Sequence, residues 1–258
     1  MIRSNLIGVF IIALFFCLEN GNYLSAQPAL FEYKQFFSKN DTLPYRQLTP
    51  DYNTSRRYPL VIFLHGSGES GTDNEAQLKW GVMNYADDKT MMMYPAYVIA
   101  PQCPDHDRWD HYTKDKDGQL HHRPEPTKSM SLLLALISEL KSTLPIDSNR
   151  IYITGLSMGA SGTYDALTRQ PGLFAAAVPV CGGGDVTKAD LFAHVPVWIF
   201  HGAEDPGTSP DLSLKMADAL MEAGAHPGLT FYPEVGHFAW LGAYADPHMM
   251  EWMFRQHR

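Results

Sequence analysis

The chain has 258 residues and a formal net charge of −8, and 45% of its residues are hydrophobic, 12% aromatic and 19% charged. This balance is typical of one sizeable folded domain, and it excludes a disordered chain, a collagen-like fibre and a disulfide scaffold. A chain this acidic has no basic stripe for a phosphate backbone, so its charge also argues against nucleic acid as a partner.

Residues 1–26 have the layout of a signal peptide. Arg3 gives a positive start, residues 6–18 form an apolar run, and small residues precede the expected cleavage site between Ala26 and Gln27. The apolar run is shorter than the roughly 20 residues that cross a bilayer. We therefore expect a secreted or periplasmic protein without stable membrane insertion, whose single catalytic domain covers residues 27–258.

Two alternatives to a cleaved signal peptide remain open. Cys17 could carry a lipid anchor, although Phe15 and Phe16 stand where a lipoprotein signal has small residues. Residues 1–26 could also form a buried N-terminal helix.

Strand-like and helix-like segments alternate after the signal peptide. A predicted antiparallel edge pair comes first, at 31–37 and 43–48. Nearly continuous apolar runs, typical of parallel strands buried on both faces, follow at 60–64, 97–100, 151–154, 175–180 and 195–200, with a last strand at 229–232. Helices are predicted over 129–144, 161–169 and 212–223. This alternation predicts an α/β domain with a parallel sheet.

Residues 103–128 interrupt this alternation with a long polar segment rich in histidine. Connections of this length are usually functional or disordered, and we interpret this one as an insertion over the strand ends. Its histidines and aspartates match neither a zinc pattern nor a calcium loop, so we expect no metal and no cofactor.

Gly155-Leu156-Ser157-Met158-Gly159 stands where a predicted strand meets a predicted helix. In a nucleophile elbow of this form the turn is too tight for side chains at the two glycines, and the serine Oγ is exposed. The helix N-terminus beneath the serine favours developing negative charge. We therefore expect Ser157 to be a catalytic nucleophile.

A serine nucleophile needs a base, and the base needs a carboxylate that orients it. Asp205 follows the strand at 195–200, and His237 follows the strand at 229–232, which gives the chain order serine, acid, histidine. We expect His237 to be the general base and Asp205 its orienting acid. Glu204 and Asp185 remain alternatives for the acid.

The reaction also needs two donors for an oxyanion. One is the backbone N–H of Met158, and the other is expected from the glycine-rich loop after residues 60–64, where Ser67 is the best candidate. His65 and His201 each precede a glycine at a strand end, and we expect both to shape their turns by bonding loop backbone.

Four segments resemble the α/β-hydrolases, specifically exported single-domain esterases related to feruloyl and acetyl-xylan esterases, polyhydroxybutyrate depolymerases and phospholipase/carboxylesterase-like proteins. They are residues 65–75 (HGSGESGTDNE), 100–104 (APQCP), 155–159 (GLSMG) and 236–240 (GHFAW). The resemblance implies an α/β-hydrolase fold with a mostly parallel central sheet of about eight strands, helices on both faces and a polar insertion near the active site. It also implies the Ser157, Asp205 and His237 triad and a carboxylic-ester substrate.

The family's strand order bears on the two cysteines of residues 27–258. It separates the strands before Cys103 and Cys181 by two others, so the strand ends lie roughly 14 Å apart. A disulfide needs Cα atoms within about 7 Å, so we expect two free and mostly buried thiols.

Four aromatic residues are candidates for substrate binding: Trp80, Trp240, and Trp109 and Tyr112 of the insertion. They could line a pocket for an aromatic acyl group or a sugar ring. Together with the resemblance, they favour a secreted serine esterase acting on small-molecule or polysaccharide-linked esters, such as feruloyl or acetyl decorations of plant polysaccharide. A lipase or polyester depolymerase and a catalytically inactive binding protein remain the alternatives.

Overall fold

The computed structural model describes residues 30–39, 41–50, 53 and 55–258. The predicted signal peptide, residues 1–26, lies outside these residues. None of the helices in the described part of the chain has both the length and the apolar character that a membrane span requires.

One eight-stranded sheet forms the centre of the fold, in the order β1-β2-β4-β3-β7-β8-β9-β10. Its strands are β1 (Phe31–Ser38), β2 (Asp41–Leu48), β3 (Tyr58–Leu64), β4 (Tyr97–Pro101), β7 (Ile146–Leu156), β8 (Ala176–Val180), β9 (Trp198–Gly202) and β10 (Gly228–Tyr232). The edge strand β1 pairs antiparallel with β2, and β2 with β4, whereas β4, β3, β7, β8, β9 and β10 run parallel. The predicted mostly parallel α/β-hydrolase sheet is confirmed.

Helices cover both faces of this sheet. The α-helices are α1 (Asp88–Met93), α2 (Lys128–Thr143), α3 (Met158–Arg169), α4 (Ala189–Phe192), α5 (Asp211–Glu222), α6 (Trp240–Ala245) and α7 (Pro247–Arg255). Short 3-10 helices occur at Ser67–Glu69, Ala76–Leu78, Val82–Ala86, Val186–Lys188 and His237–Ala239.

The continuous apolar strands are buried on two sides, as their sequence predicts. Along β3, Leu60, Ile62 and Leu64 belong to one core, which they share with buried residues of α2, α3, α4 and α5. Val61 and Phe63 belong to a second core on the opposite face, with buried residues of α6 and α7. Because successive side chains of a strand point to opposite faces, one run of apolar residues serves both cores.

The polar insertion, residues 103–128, contains a small antiparallel hairpin of β5 (Tyr112–Lys114) and β6 (Leu120–His122). It is held to helix α3 by the buried carboxylate of Asp165, which accepts from the His111 backbone N–H at 3.0 Å and from Arg169 Nε at 2.5 Å. Arg169 also donates to backbone carbonyls of the insertion, including that of Pro124 at 2.7 Å. The insertion is thus anchored to the helix that follows Ser157.

Candidate active site

Ser157 sits on a strained turn between β7 and α3. Its φ of 54° and ψ of −117° lie outside the ordinary helical and extended regions. The flanking glycines permit this turn, because a Cβ on Gly155 would lie 2.3 Å from the Gly159 carbonyl oxygen, and one on Gly159 would lie 2.0 Å from that of Leu64. The steric requirement expected from the sequence motif is therefore met.

The side chains of Ser157, His237 and Asp205 form a hydrogen-bonded chain. His237 Nε2 lies 2.9 Å from Ser157 Oγ, and His237 Nδ1 lies 2.6 Å from Asp205 Oδ2. Because an ionised carboxylate only accepts, Nδ1 carries the proton and donates to Asp205. Nε2 is then free to accept the Ser157 hydroxyl proton, which is the arrangement that a general base needs.

Asp205 is buried, and its surroundings favour the ionised form. Burial opposes the charge, but hydrogen bonds from His237 and from the backbone N–H groups of Thr208 and Gly207 outweigh it and hold the Asp205 pKa below its usual value. The carboxylate therefore remains charged beside His237, where it can stabilise the imidazolium that forms when Ser157 loses its proton.

The two alternative acids lie elsewhere. Glu204 is exposed to solvent, although it is the neighbour of Asp205 in sequence. Asp185 is buried, and it accepts from the backbone N–H of His122 at 2.8 Å and from the hydroxyl and N–H of Thr187. Among the three carboxylates, Asp205 is the one that contacts His237.

Met158 and Ser67 both stand at the first position of a helical turn. Met158 begins α3, and Ser67 begins the 3-10 helix Ser67–Glu69. The first N–H groups of a helix have no acceptor within that helix, so both backbone donors are available to an outside oxygen. Both residues line the same cavity as Ser157, which is the placement that an oxyanion hole requires.

This cavity has a volume of about 430 Å³, and part of its wall comes from the insertion. Five residues of the insertion line it: Arg108, Asp110, Tyr112, Lys114 and Leu120. Arg108 Nη2 lies 2.9 Å from Asp110 Oδ1. Of these five, the sequence pointed to Tyr112 as a pocket residue; for the other four it offered only the position of the insertion.

An aromatic patch of Trp80, Phe238 and Trp240 lies beside His237. The Trp240 ring stands edge-on to the His237 imidazole, with centroids 5.0 Å apart, and Phe238 lies 4.8 Å from Trp240. Trp80 lies 5.7 Å from Phe238, and its side chain hydrogen-bonds the buried carboxyl of Glu69. Phe238 is 53% exposed and Trp80 is partly exposed, whereas Trp240 is buried at 4% exposure, so Phe238 and Trp80 are the rings that meet solvent here.

The expectation for Trp109 is wrong. Its side chain is fully buried, its ring packs against His65 with centroids 5.4 Å apart, and its Cβ fills the space beside Gly162. It packs against helix α3 from within the core and offers no surface to a substrate. The aromatic residue of the site that sequence reasoning missed is Phe238, which directly follows His237.

His65 directly follows β3, and His201 is the last residue but one of β9. Both are buried. His65 accepts the Cys103 backbone N–H at 2.9 Å and donates to the Gly66 carbonyl at 2.6 Å, as expected for a residue that shapes a turn. Burial lowers its pKa to about 4. His201 also bonds loop backbone, at Thr208, but in addition its Nε2 lies 3.2 Å from Asp205 Oδ2.

The two cysteines, Cys103 and Cys181, are free and buried. Burial raises the pKa of each thiol to about 12, so neither is a reactive thiolate near neutral pH. Within the described ranges, potential metal-ligating atoms of Cys181, His201 and Asp205 cluster within 4.8 Å of one another. Asp205 Oδ2 already accepts from His237, and the thiol is protonated, so these groups do not suit a cation.

Comparison with known proteins places this geometry in a family. The family model described as phospholipase/carboxylesterase matches residues 52–243. The chain belongs to the phospholipase/carboxylesterase family.

Three relatives illustrate the range of this family. A solved thermostable esterase is 37% identical, superposes with a TM-score of 0.83, and aligns with 89% of this chain and 64% of its own. A bifunctional acetylxylan esterase/xylanase from Neocallimastix patriciarum is 25% identical over 59% of this chain and 20% of its own length. Acyl-protein thioesterase 1 from Neurospora crassa is 26% identical over 72% of this chain and 83% of its own. The chain thus spans about a fifth of the first curated relative and less than two thirds of the solved esterase.

Proposed function

We propose that this protein is a serine esterase that cleaves carboxylic esters through a covalent acyl-enzyme. The observation that carries the proposal is the chain of hydrogen bonds from Ser157 through His237 to Asp205 at a cavity that Met158 and Ser67 also line. Nucleophile, base, orienting acid and two unpaired backbone donors then stand together in one place, which is what acyl transfer requires.

In the first half of the reaction, His237 Nε2 takes the proton of Ser157 Oγ while Oγ attacks the ester carbonyl carbon. Negative charge then develops on the carbonyl oxygen, which accepts hydrogen bonds from the Met158 and Ser67 N–H groups. The tetrahedral intermediate collapses, the bond to the alcohol oxygen breaks, and His237 gives its proton to that oxygen. A water molecule repeats the sequence on the acyl-enzyme, releases the acid and restores the Ser157 hydroxyl.

The leaving alcohol must lie against His237, since His237 Nε2 protonates its oxygen. The aromatic patch of Trp80, Phe238 and Trp240 borders this position. A flat, amphipathic ring with an apolar C–H face, such as a sugar, suits the exposed ring of Phe238 in this patch. The polar cavity wall with Arg108, Asp110 and Lys114 does not suit a long hydrocarbon acyl chain. We therefore propose feruloyl or acetyl esters of a polysaccharide as the substrate.

A panel of ester substrates tests this proposal. Feruloyl, acetyl, methyl and long-chain esters are offered to the wild type and to Ser157→Ala, and initial rates are compared. We expect the sugar-linked feruloyl or acetyl esters to give the highest kcat/KM and the Ser157→Ala rates to fall by about 10⁴-fold or more. A preference for long-chain esters would instead support a lipase-like enzyme, and a wild type without esterase activity would support a binding protein.

Phe238 provides a narrower test of the alcohol side. Phe238→Ala is expected to lower kcat/KM for an acetylated xylo-oligosaccharide by about 2- to 10-fold, since an aromatic contact contributes about 0.5–1.5 kcal/mol. Ethyl acetate has an alcohol too small to reach the patch, so its kcat/KM should not change. Leu241→Ala, which removes an exposed apolar side chain (55% exposed) from the adjacent helix α6, is the matched control. Equal losses on both substrates would contradict the placement.

We also propose that the protein is exported with cleavage after Ala26. The layout of residues 1–26 supports this. Mass spectrometry of the mature protein should find Gln27 at the N-terminus. A lipid-modified Cys17 or a retained Met1 would contradict the cleavage.

A further inference from the structure

His201 contacts the acid of the proposed triad. It is the last residue but one of β9, its side chain is fully buried, and its Nε2 lies 3.2 Å from Asp205 Oδ2, the oxygen that also accepts from His237 Nδ1. Asp205 Oδ1 is occupied separately by the backbone N–H groups of Gly207 and Thr208. One carboxylate oxygen is therefore shared between two imidazoles.

The partners of His201 fix where its proton lies. Nε2 is 3.0 Å from the Thr208 carbonyl oxygen, which can only accept a hydrogen bond, so Nε2 carries the proton. That N–H donates to the Thr208 carbonyl, and Asp205 Oδ2 lies 3.2 Å from the same nitrogen, within reach of the same N–H. Nδ1 lies 2.6 Å from Ser213 Oγ and accepts its hydroxyl proton. Both ring nitrogens are thus satisfied by a neutral imidazole, in a single tautomer.

The titratable groups around His201 are consistent with a neutral ring. Asp205 and His237 face it from the loops after β9 and β10, and Cys181 faces it from the end of β8. Ser213 of α5, Thr208 and the Phe231 ring complete the surroundings, and none of these three carries a charge. Burial lowers the His201 pKa, and the Thr208 carbonyl and Asp205 only partly oppose this effect.

We propose that His201 is a positioning residue for the Ser157–His237–Asp205 site, which holds Asp205 Oδ2 in line with His237 Nδ1 by donating a hydrogen bond from Nε2. This inference rests on the proposed function. A donor at Oδ2 has two effects: it fixes the rotation of the carboxylate, and it withdraws charge from the oxygen that stabilises the His237 imidazolium. Loss of the donor should misalign His237 and make Asp205 a stronger acceptor, which favours protonated His237.

The test compares His201→Leu and His201→Gln with matched variants of His65, the other buried histidine before a glycine at a strand end. Active sites are counted by the acyl-enzyme burst, so that partial misfolding does not enter the rates. For His201→Leu we expect kcat/KM per active site to fall about 10- to 100-fold, because small misplacements of catalytic groups have effects of this size. The acidic limb of its pH profile should move upward by about half a unit. His201→Gln keeps an N–H donor and should recover most of both.

His65→Leu and His65→Gln should lose stability but keep the wild-type acidic limb, because His65 does not contact Asp205 or His237. If His201→Leu behaves like His65→Leu, His201 only shapes its turn and the inference is wrong. If the wild type hydrolyses no ester, the proposed esterase function is wrong.

A measurement that needs neither a variant nor activity separates the two failures. In ¹⁵N-histidine spectra of the wild type near neutral pH, His201 should be neutral with its proton on Nε2. A proton on Nδ1, or a protonated His201 near neutral pH, would overturn the inference whatever the enzyme does.

Discussion

Two His-Gly turns at the sheet's carboxyl edge differ in what their histidines touch. His65 follows β3 and bonds only to backbone, at Cys103 and Gly66. His201 is the last residue but one of β9, and besides the Thr208 backbone it contacts the carboxylate of Asp205. The same dipeptide at the end of a buried parallel strand therefore contacts only loop backbone in one place and a charged side chain in the other. The His-Gly sequence is the same in both turns, whereas the partner of the ring depends on the fold of the loop that follows the strand.

The largest effect that bears on this comparison is expected at Asp205. Asp205→Asn removes the charge and places an amide between two imidazole N–H donors, so His237 loses the tautomer that a base needs. We expect kcat to fall on the order of 10⁴-fold. Glu204→Gln, which makes the same chemical change at the exposed neighbour, should leave kcat unchanged. Steady-state kinetics of both variants decide whether Asp205 is the acid, and equal losses would show that it is not.

A smaller effect concerns stability at His65. His65→Leu leaves the Cys103 N–H without its acceptor, and an unsatisfied buried donor costs about 1–3 kcal/mol in the free energy of unfolding. Urea unfolding near neutral pH measures this loss. A variant as stable as the wild type would show that the contact with Cys103 does not contribute to the free energy of unfolding.

His65 also predicts how stability depends on pH. Its pKa is about 4 in the folded protein and near 6.5 when unfolded, so the unfolded chain binds more protons between these values. Its contribution is therefore fully present above pH 6.5 and is lost as the pH falls toward 4, with a limiting slope of about 1.4 kcal/mol per pH unit. Unfolding experiments across this range should show a flatter dependence for His65→Leu. An unchanged slope would contradict the burial of a neutral His65.

The smallest effect is expected at Ser213, which touches the far nitrogen of His201 and not Asp205. Ser213→Ala removes the hydroxyl at Nδ1, while the Thr208 carbonyl still holds the proton on Nε2. We expect a loss of about 2- to 5-fold in kcat/KM, corresponding to one net hydrogen bond of about 0.5–1 kcal/mol. Ser209→Ala, at an exposed position just before helix α5, is the control. A loss as large as that of His201→Leu would mean that Ser213 acts on the site by another route.

The sequence predicted most of the sheet because its strands are buried on both faces. A short and continuous apolar run such as residues 60–64 is typical of a parallel strand with a core on each face. The Gly155–Gly159 motif could be interpreted for a similar reason, since only glycine fits beside the carbonyls of Gly159 and Leu64. The chain order of Ser157, Asp205 and His237 follows from the fold, and the structure places their side chains in contact.

The remaining features depend on contacts between distant segments. Nothing local separates the buried Trp109 from the half-buried Trp80, because burial of Trp109 results from its packing on His65 and Gly162. The hairpin of β5 and β6 has short strands without a clear apolar alternation, and Asp165 and Arg169 of helix α3 hold it in place. The contact between His201 and Asp205 spans only four residues, but it depends on the conformation of the loop after β9, which the sequence does not show.

Labelling with a fluorophosphonate probe, followed by mass spectrometry of the modified peptide, tests the proposed catalytic site most directly. The proposed site predicts one label per folded molecule, located on Ser157, with labelling slowed strongly in Asp205→Asn and unchanged in Glu204→Gln. A folded wild-type protein that takes up no label, or carries it on another residue, would contradict the account.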